Sequence, residues 1–231
     1  MVENTAQTRR ERLEERENAI VSAAHDVFAE HGFEGARMTD IARNAEVAEG
    51  TIYLYFKNKK ALLHAVVARF YAGLTEVARS GVRSQPDPFD RLRFLAEHHI
   101  RSCIAEWRIL ELAMSLYRNM QRYQDEGPYK LNKAYVAVFD DVIRDGVNRG
   151  SINEAIPLWM MRDLFYGTLE YAARTQILRG DKDDIRIVVD NLVIMLQEGI
   201  SRRSAGKSAC GGLEEVAMRL ESVAERLEKT V

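Results

Sequence analysis

Residues 37–63 read RMTDIARNAEVAEGTIYLYFKNKKALL, and this stretch decides the fold. Thr39 is a good N-cap for the run Asp40-Ile41-Ala42-Arg43-Asn44-Ala45, a helix of about two turns at most. Glu46, Val47 and Ala48 interrupt the pattern, a second short helix follows over 49–56, and Lys57-Asn58-Lys59 leads into a longer helix running to about Ser80. Two short helices joined by a three-residue turn make a helix-turn-helix, which reads DNA by placing its second helix in the major groove while its surroundings grip phosphates. The side chains suit that task. Thr39 and Thr51 carry hydroxyls, Tyr53 and Tyr55 carry phenols near a helix end, and Lys57, Lys59 and Lys60 cluster where the next helix starts. Free N–H groups at that start favour an anion beside Asn58 and Lys59. Arg37, Glu49 and Gly50 complete the candidate DNA-binding set. From spacing alone, two merely packed helices with a solvated lysine face remain an open alternative.

Outward from this motif the chain reads as all-α. A first helix is expected over about 10–31, with Ile20, Ala24, Val27 and Phe28 on one face and Gly32 as its C-terminal cap. Ahead of it, Arg9, Arg10 and Arg12 suggest an arm along the DNA backbone. Pro86 and Pro88, two residues apart, mark the clearest boundary, since neither can continue a helix. Beyond it the periodicity predicts helices at about 89–106, 108–122, 129–149, 157–179 and 184–204, divided by Gly127-Pro128, Gly150-Ser151, Pro157 and Gly180-Asp181. Ala205 to Gly212 is small and flexible in composition, a linker. Leu213, Val216, Leu220, Val223 and Leu227 then form the seam of a short amphipathic helix. The expected organisation is a helix-turn-helix DNA-binding domain at 1–60, a larger helical ligand-binding and dimerisation domain at 61–204, the linker at 205–212 and the tail helix at 213–231.

At 231 residues, 46% apolar and 29% charged, the chain has enough core for one large domain or a small one plus a larger one. Its 33 basic and 35 acidic groups give a net charge of -2, which taken alone argues against nucleic acid. The average conceals placement: residues 1–36 carry four basic and eight acidic groups, whereas 37–60 carry five and three. A locally basic head of small excess implies weak non-specific affinity and reliance on a fitted, paired site. The N-terminus lacks the apolar core of a signal peptide and no stretch approaches a membrane span, so a cytoplasmic protein without membrane contact is expected. Cys103 and Cys210 form no CxxC pair, which suggests neither a disulfide framework nor a zinc site. No GxSxG or HExxH occurs; Gly206-Lys207-Ser208 has Ser201 where a phosphate-binding loop needs its first glycine; and the adjacent His98 and His99 point about 100° apart on a helix. An enzyme is therefore not expected, nor a metal or cofactor.

The string from Thr39 to Leu63 resembles the DNA-binding signature of the tetracycline-repressor (TetR) family of bacterial regulators, over roughly residues 17–65. The resemblance implies that Thr39, Thr51, Tyr53, Tyr55 and Lys59 hold the DNA backbone, with Glu49 to Tyr55 in the groove. Ala48 departs from the family, which often has a capping serine there. The resemblance also implies a homodimer joined through the helices at about 157–179 and 184–204, on double-stranded operator DNA, and repression relieved by a small-molecule effector. The effector cavity falls among the intervening helices, where Phe94, His98, Trp107, Leu110, Met114, Tyr117, Arg118, Tyr135, Phe139, Phe165, Tyr166, Leu169 and Glu170 are the candidate lining. Gly50 to Lys59 together with Phe165-Tyr166-Gly167-Thr168-Leu169-Glu170 is similar to the acyl-CoA-responsive FadR-like branch, implying a long-chain acyl-CoA. Another hydrophobic effector such as a drug, or a helical scaffold without DNA binding, is the alternative.

Overall fold

A computed structural model describes residues 2–116, 127–180 and 184–200. Tyr117 and Arg118, the linker at 205–212 and the tail seam from Leu213 to Leu227 lie outside the described residues. Within them are nine helices and no strand: α1 Val2–Gly35, α2 Met38–Asn44, α3 Glu49–Tyr55, α4 Lys59–Arg83, α5 Pro88–Ala105, α6 Trp107–Leu116, α7 Gly127–Asn148, α8 Leu158–Arg179 and α9 Ile185–Ile200.

The helix ends follow local chemistry, with two corrections. Arg37, not Thr39, occupies the N-cap of α2: its backbone is extended (φ -110°, ψ 142°) and its carbonyl accepts from the N–H groups of Asp40 and Ile41, which puts Thr39 inside the first turn. The helix α1 begins at Val2 rather than near Arg10, so the arginine arm is a correction too: Arg10 lies in a helix and pairs with Glu14 at 2.7 Å. No glycine or proline precedes Gly32 to stop that helix. Gly32 itself, at φ 68° and ψ 179°, bends the chain out of helical geometry, a conformation open only to glycine. Asn58 caps α4 by accepting from the Ala61 N–H at 2.8 Å, and Asp87 caps α5 by accepting from Phe89 at 2.7 Å, with Pro88 in the first turn where its missing N–H costs nothing.

Ile20, Ala24, Val27 and Phe28 of α1 are buried together with Ile41, Ile52 and Phe56. The first turns of α4 join the same core through Leu62, Leu63, Val66 and Val67. Thus α4 runs through the boundary expected at residue 60. Farther along it packs against α7 and α5, while α5 is flanked by α8 and α9. At Gly81 these two helices, α4 and α5, leave no room for a side chain: a Cβ there would fall 1.8 Å from the Phe94 ring on α5. At 25 residues α4 is long and apolar enough to cross a membrane, but Leu62, Leu63, Val66, Val67, Tyr71, Leu74 and Ala78 are buried in the chain's own core.

The last two helices each divide into two faces. Met161, Phe165 and Leu169 of α8 and Val189, Leu192, Val193 and Leu196 of α9 turn inward. Trp159, Leu164, Tyr171 and Leu178 of α8, with Ile187, Ile194 and Met195 of α9, remain exposed.

Candidate nucleic-acid interface and effector cleft

The short helix α3 sits on Ile52 and Phe56, one turn apart and both buried, and this anchor turns the opposite side of the helix outward. Glu49, Gly50, Tyr53 and Leu54 are exposed there, followed by Lys57, with Thr51 and Tyr55 half-buried at the edges. Arg37 and Thr39, at the start of α2, are exposed as well. Ala48 is the N-cap of α3 and supplies no side-chain hydrogen bond. The turn between the helices places Glu46 at φ 54°, the left-handed region, and closes with a hydrogen bond from the Val47 N–H to the Ala42 carbonyl. Gly50 has no positive φ, and a Cβ there would meet nothing within 4 Å. The chain's own packing gives no reason for glycine at a helical position where alanine is favoured.

Lys59 behaves differently from the other candidates. Its ammonium donates to the carbonyls of Ala36 (3.0 Å) and Glu34 (3.4 Å) and lies 4.6 Å from the centre of the Phe33 ring. It ties the start of α4 to the end of α1, so within the free chain it is a positioning group rather than an open phosphate contact. Lys57 and Lys60 remain exposed.

Between the head and the larger half, His25 of α1 sits 2.9 Å from Glu106, the residue that ends α5, and 3.0 Å from its neighbour Asp26. Burial pulls the imidazole pKa down, but the ring's hydrogen bonds to both carboxylates, with their negative charge, outweigh it and leave the pKa raised. Arg69 of α4 adds a second tie by donating to the Asn18 carbonyl of α1.

In the larger half a cleft of about 400 Å³ opens between α4, α5, α6, α7 and α8, within the range of about 300–1,000 Å³ usual for small-molecule sites. Tyr71, Leu74, Leu110, Val136 and Tyr135 form apolar wall; His99, Tyr166, Asn132, Arg162, Asp163 and Glu170 supply polar groups. Of the expected lining, Leu110, Tyr135, Tyr166 and Glu170 border this cleft. The other described candidates lie off its lining. Phe94 packs under Gly81 and stacks on His98, whose Nε2 lies 3.0 Å from the Leu74 carbonyl, so both serve the α4–α5 contact. Phe139, Phe165 and Leu169 are buried behind the cleft, the two phenylalanine rings 4.8 Å apart. Trp107 is half-buried off the lining, and Met114 is 57% exposed.

The inner wall belongs to His99 rather than His98. Nδ1 of His99 is 3.1 Å from the Tyr135 hydroxyl and Nε2 is 3.4 Å from Sγ of Cys103, with Glu170 at 3.8 Å. Burial pushes the Cys103 thiol up to about 12 and raises both Tyr135 and Tyr166 well above the ordinary phenol value, so these groups stay neutral. Arg162 spends its guanidinium on the buried Asp140, at 3.0 and 2.6 Å. On α8, residues 162, 163, 166, 167 and 170 share one face at helical spacing, a pattern visible in the sequence that would have found Arg162, Asp163 and Gly167. Tyr71 and Leu74 come from α4, ahead of the intervening helices where the cavity was expected. Among the described residues no group of three His, Cys, Asp or Glu could hold a metal ion.

The profile of bacterial regulatory proteins of the tetR family matches residues 20–66, and that of the C-terminal region of YsiA-like proteins matches residues 71–199. The chain is 25% identical over 189 residues to the fatty acid metabolism regulator protein of Bacillus subtilis, spanning 80% of this chain and 95% of that protein. A Bacillus halodurans fatty acid degradation regulator superposes with a TM-score of 0.67 at 26% identity, over 81% of this chain and 97% of that one. FadR from Bacillus subtilis, solved in complex with stearoyl-CoA, gives 0.67 at 24% identity over 79% and 98%; that likeness speaks for the fold.

Proposed function

The chain belongs to the tetR family of bacterial regulatory proteins, and from that premise we propose that it is an operator-binding repressor released by a long-chain acyl-CoA. That it is a ligand-responsive transcription regulator and not an enzyme follows from the family. The observation that carries the finer reading is one helix with two duties. The helix α4 contributes Leu62, Leu63, Val66 and Val67 to the core of the head, and its Tyr71 and Leu74 wall the cleft. A chain seated in the cleft bears on the helix that fixes the head. A ligand shifts such an equilibrium only by binding one head orientation more tightly than the other.

In this reading Arg37, Thr39, Glu49, Gly50, Thr51, Tyr53, Tyr55 and Lys57 face the duplex, and Lys59 holds the head that presents them. Two copies join through the outward faces of α8 and α9, which spaces the two heads about 34 Å apart, or a multiple of it, on a near-palindromic site. The protein acts in the cytoplasm, where that DNA is. The head groups divide by chemistry: Lys57 and Arg37 meet phosphates, while α3 reads base edges.

The test is release of operator DNA, first identified by sequencing the fragments that the protein retains from its own genome. In fluorescence anisotropy the affinity falls steeply with salt, and a long-chain acyl-CoA lowers it further while raising the melting temperature of the free protein. No release and no thermal shift with any acyl-CoA overturns the effector. A second reading, an uncharged hydrophobic effector, is favoured by the carboxylates of Asp163 and Glu170 at the cleft. It predicts release by a neutral apolar molecule and none by an acyl-CoA.

A further inference from the structure

We infer that Leu54 reads a base: it packs on the 5-methyl group of a thymine in each half of the operator. This rests on the operator reading above and specifies one of the bases that the head selects.

Leu54 is 83% exposed, and among the described residues no large apolar side chain is more open to solvent. The next in rank, Leu178, Tyr171, Met195 and Ile187, all belong to the outward faces of α8 and α9. A single leucine on a surface needs no partner as such, and this one is set apart by where it stands. The core and its fringe take in Ile52, Tyr55 and Phe56 of the same short stretch and leave Leu54 out. Counted at about 100° per residue, Leu54 lies about 160° around the helix from the Ile52 anchor. It therefore occupies the side of α3 opposite the one that seats the helix in the head. Glutamine or lysine would extend the helix about as well and suit water better, so the fold gives no reason for leucine here.

Two neighbours indicate what covers it. Gly50 lies on the same side one turn earlier, about 40° from Leu54, and has no side chain to hold the helix away from an approaching surface. Arg37 at the start of α2 and Lys57 just after α3 are both exposed, and these cations suit phosphates rather than an apolar partner.

The chemistry of the groove selects the contact. In the major groove the base edges present donors and acceptors and one apolar group, the thymine methyl. A leucine side chain neither donates nor accepts a hydrogen bond, so that methyl is the group there which gains from meeting it. Among the exposed side chains of α3, Glu49 and Tyr53 carry polar groups and Leu54 is wholly apolar.

The experiment uses the full-length protein and the operator duplex identified by sequencing. Each thymine of a half-site is replaced in turn by deoxyuridine, which pairs with adenine in the same way and lacks only the methyl group, and affinity is read by fluorescence anisotropy. At one position the wild type is expected to lose about fourfold with one half-site substituted and about fifteenfold with both, as burial of a single methyl group allows. Leu54→Ala is expected to bind the thymine and uracil duplexes of that position alike. Its melting temperature and sedimentation without DNA should be those of the wild type, and so should the salt dependence of its binding, since no phosphate contact is lost. Operator binding that no deoxyuridine weakens, or penalties that all persist in Leu54→Ala, overturn the assignment and leave the operator reading standing. A changed salt dependence overturns it too, because the head would then have shifted, and a changed sedimentation would place a second copy of the chain on Leu54. If the protein binds no duplex from its own genome, the operator reading itself falls.

Discussion

At the scale of single residues the most informative positions are those whose chemistry is at odds with their place. Glu46 holds a left-handed φ of 54° with a side chain that disfavours it. Glu46→Gly is expected to raise stability by about 0.5–1 kcal/mol, the left-handed penalty relieved less the extra entropy that glycine loses on folding. Differential scanning calorimetry reads this as a rise in Tm of a few degrees, and a fall would show that Glu46 earns its conformation through a contact of its own. His25 makes a pH-dependent counterpart. Its pKa is raised in the folded chain by Glu106 and Asp26, so the stabilisation is fully present below the unfolded value near 6.5 and fades as pH rises through the folded one. Melting temperatures taken from about pH 6 to pH 8 should decline more steeply for the wild type than for Glu106→Gln; parallel curves would mean that the pair contributes nothing. None of this was visible in the sequence, because a φ angle and a contact between positions 25 and 106 are products of the tertiary fold. The exposed side of the helix-turn-helix was legible, since the order of residues along two short helices fixes which side is anchored and which is free. Lys59 was legible only as a cation, and its partners on α1 became apparent from the folded chain.

Among the helices, α4 meets α5 at close range beside Gly81. Gly81 admits the Phe94 ring where any side chain would collide with it. Gly81→Ala is expected to cost about 1–3 kcal/mol, the range for forcing extra carbon into a packed interior, and to loosen ligand control of DNA binding along with it. Chemical denaturation of the variant measures the first and operator release the second; a neutral result would mean that Phe94 swings aside freely. The breaks between helices were readable from glycine, proline and capping residues: α5, α6, α8 and α9 begin, and α5, α7 and α8 end, within one residue of the expected places. The cleft was less readable. Periodicity marks Phe139, Phe165 and Leu169 as apolar but cannot tell a residue that lines a cavity from one that lies a layer behind it. The expected lining therefore includes residues of both kinds and leaves out Arg162, whose place depends on its meeting Asp140.

For the whole molecule the exposed apolar faces of α8 and α9 set the decisive expectation. Leu164→Arg combined with Ile194→Arg places charge in the proposed joint between two copies, and these side chains are 50% and 48% exposed in the single chain. The double variant should fold with an unchanged helical spectrum, sediment as a monomer and lose operator affinity by about a hundredfold or more, because two linked heads bind far more tightly than one. A dimer that survives both substitutions would place the joint elsewhere. The shared helix α4 has a different consequence, for how regulators of this kind exchange parts. Head core ends at Val67 and cleft wall begins at Tyr71, so positions 68–70 are the only seam between the two duties. A hybrid that borrows this head for another sensor must be spliced there and in helical phase. A graft cut at residue 60 would deliver the recognition helix without the floor it stands on.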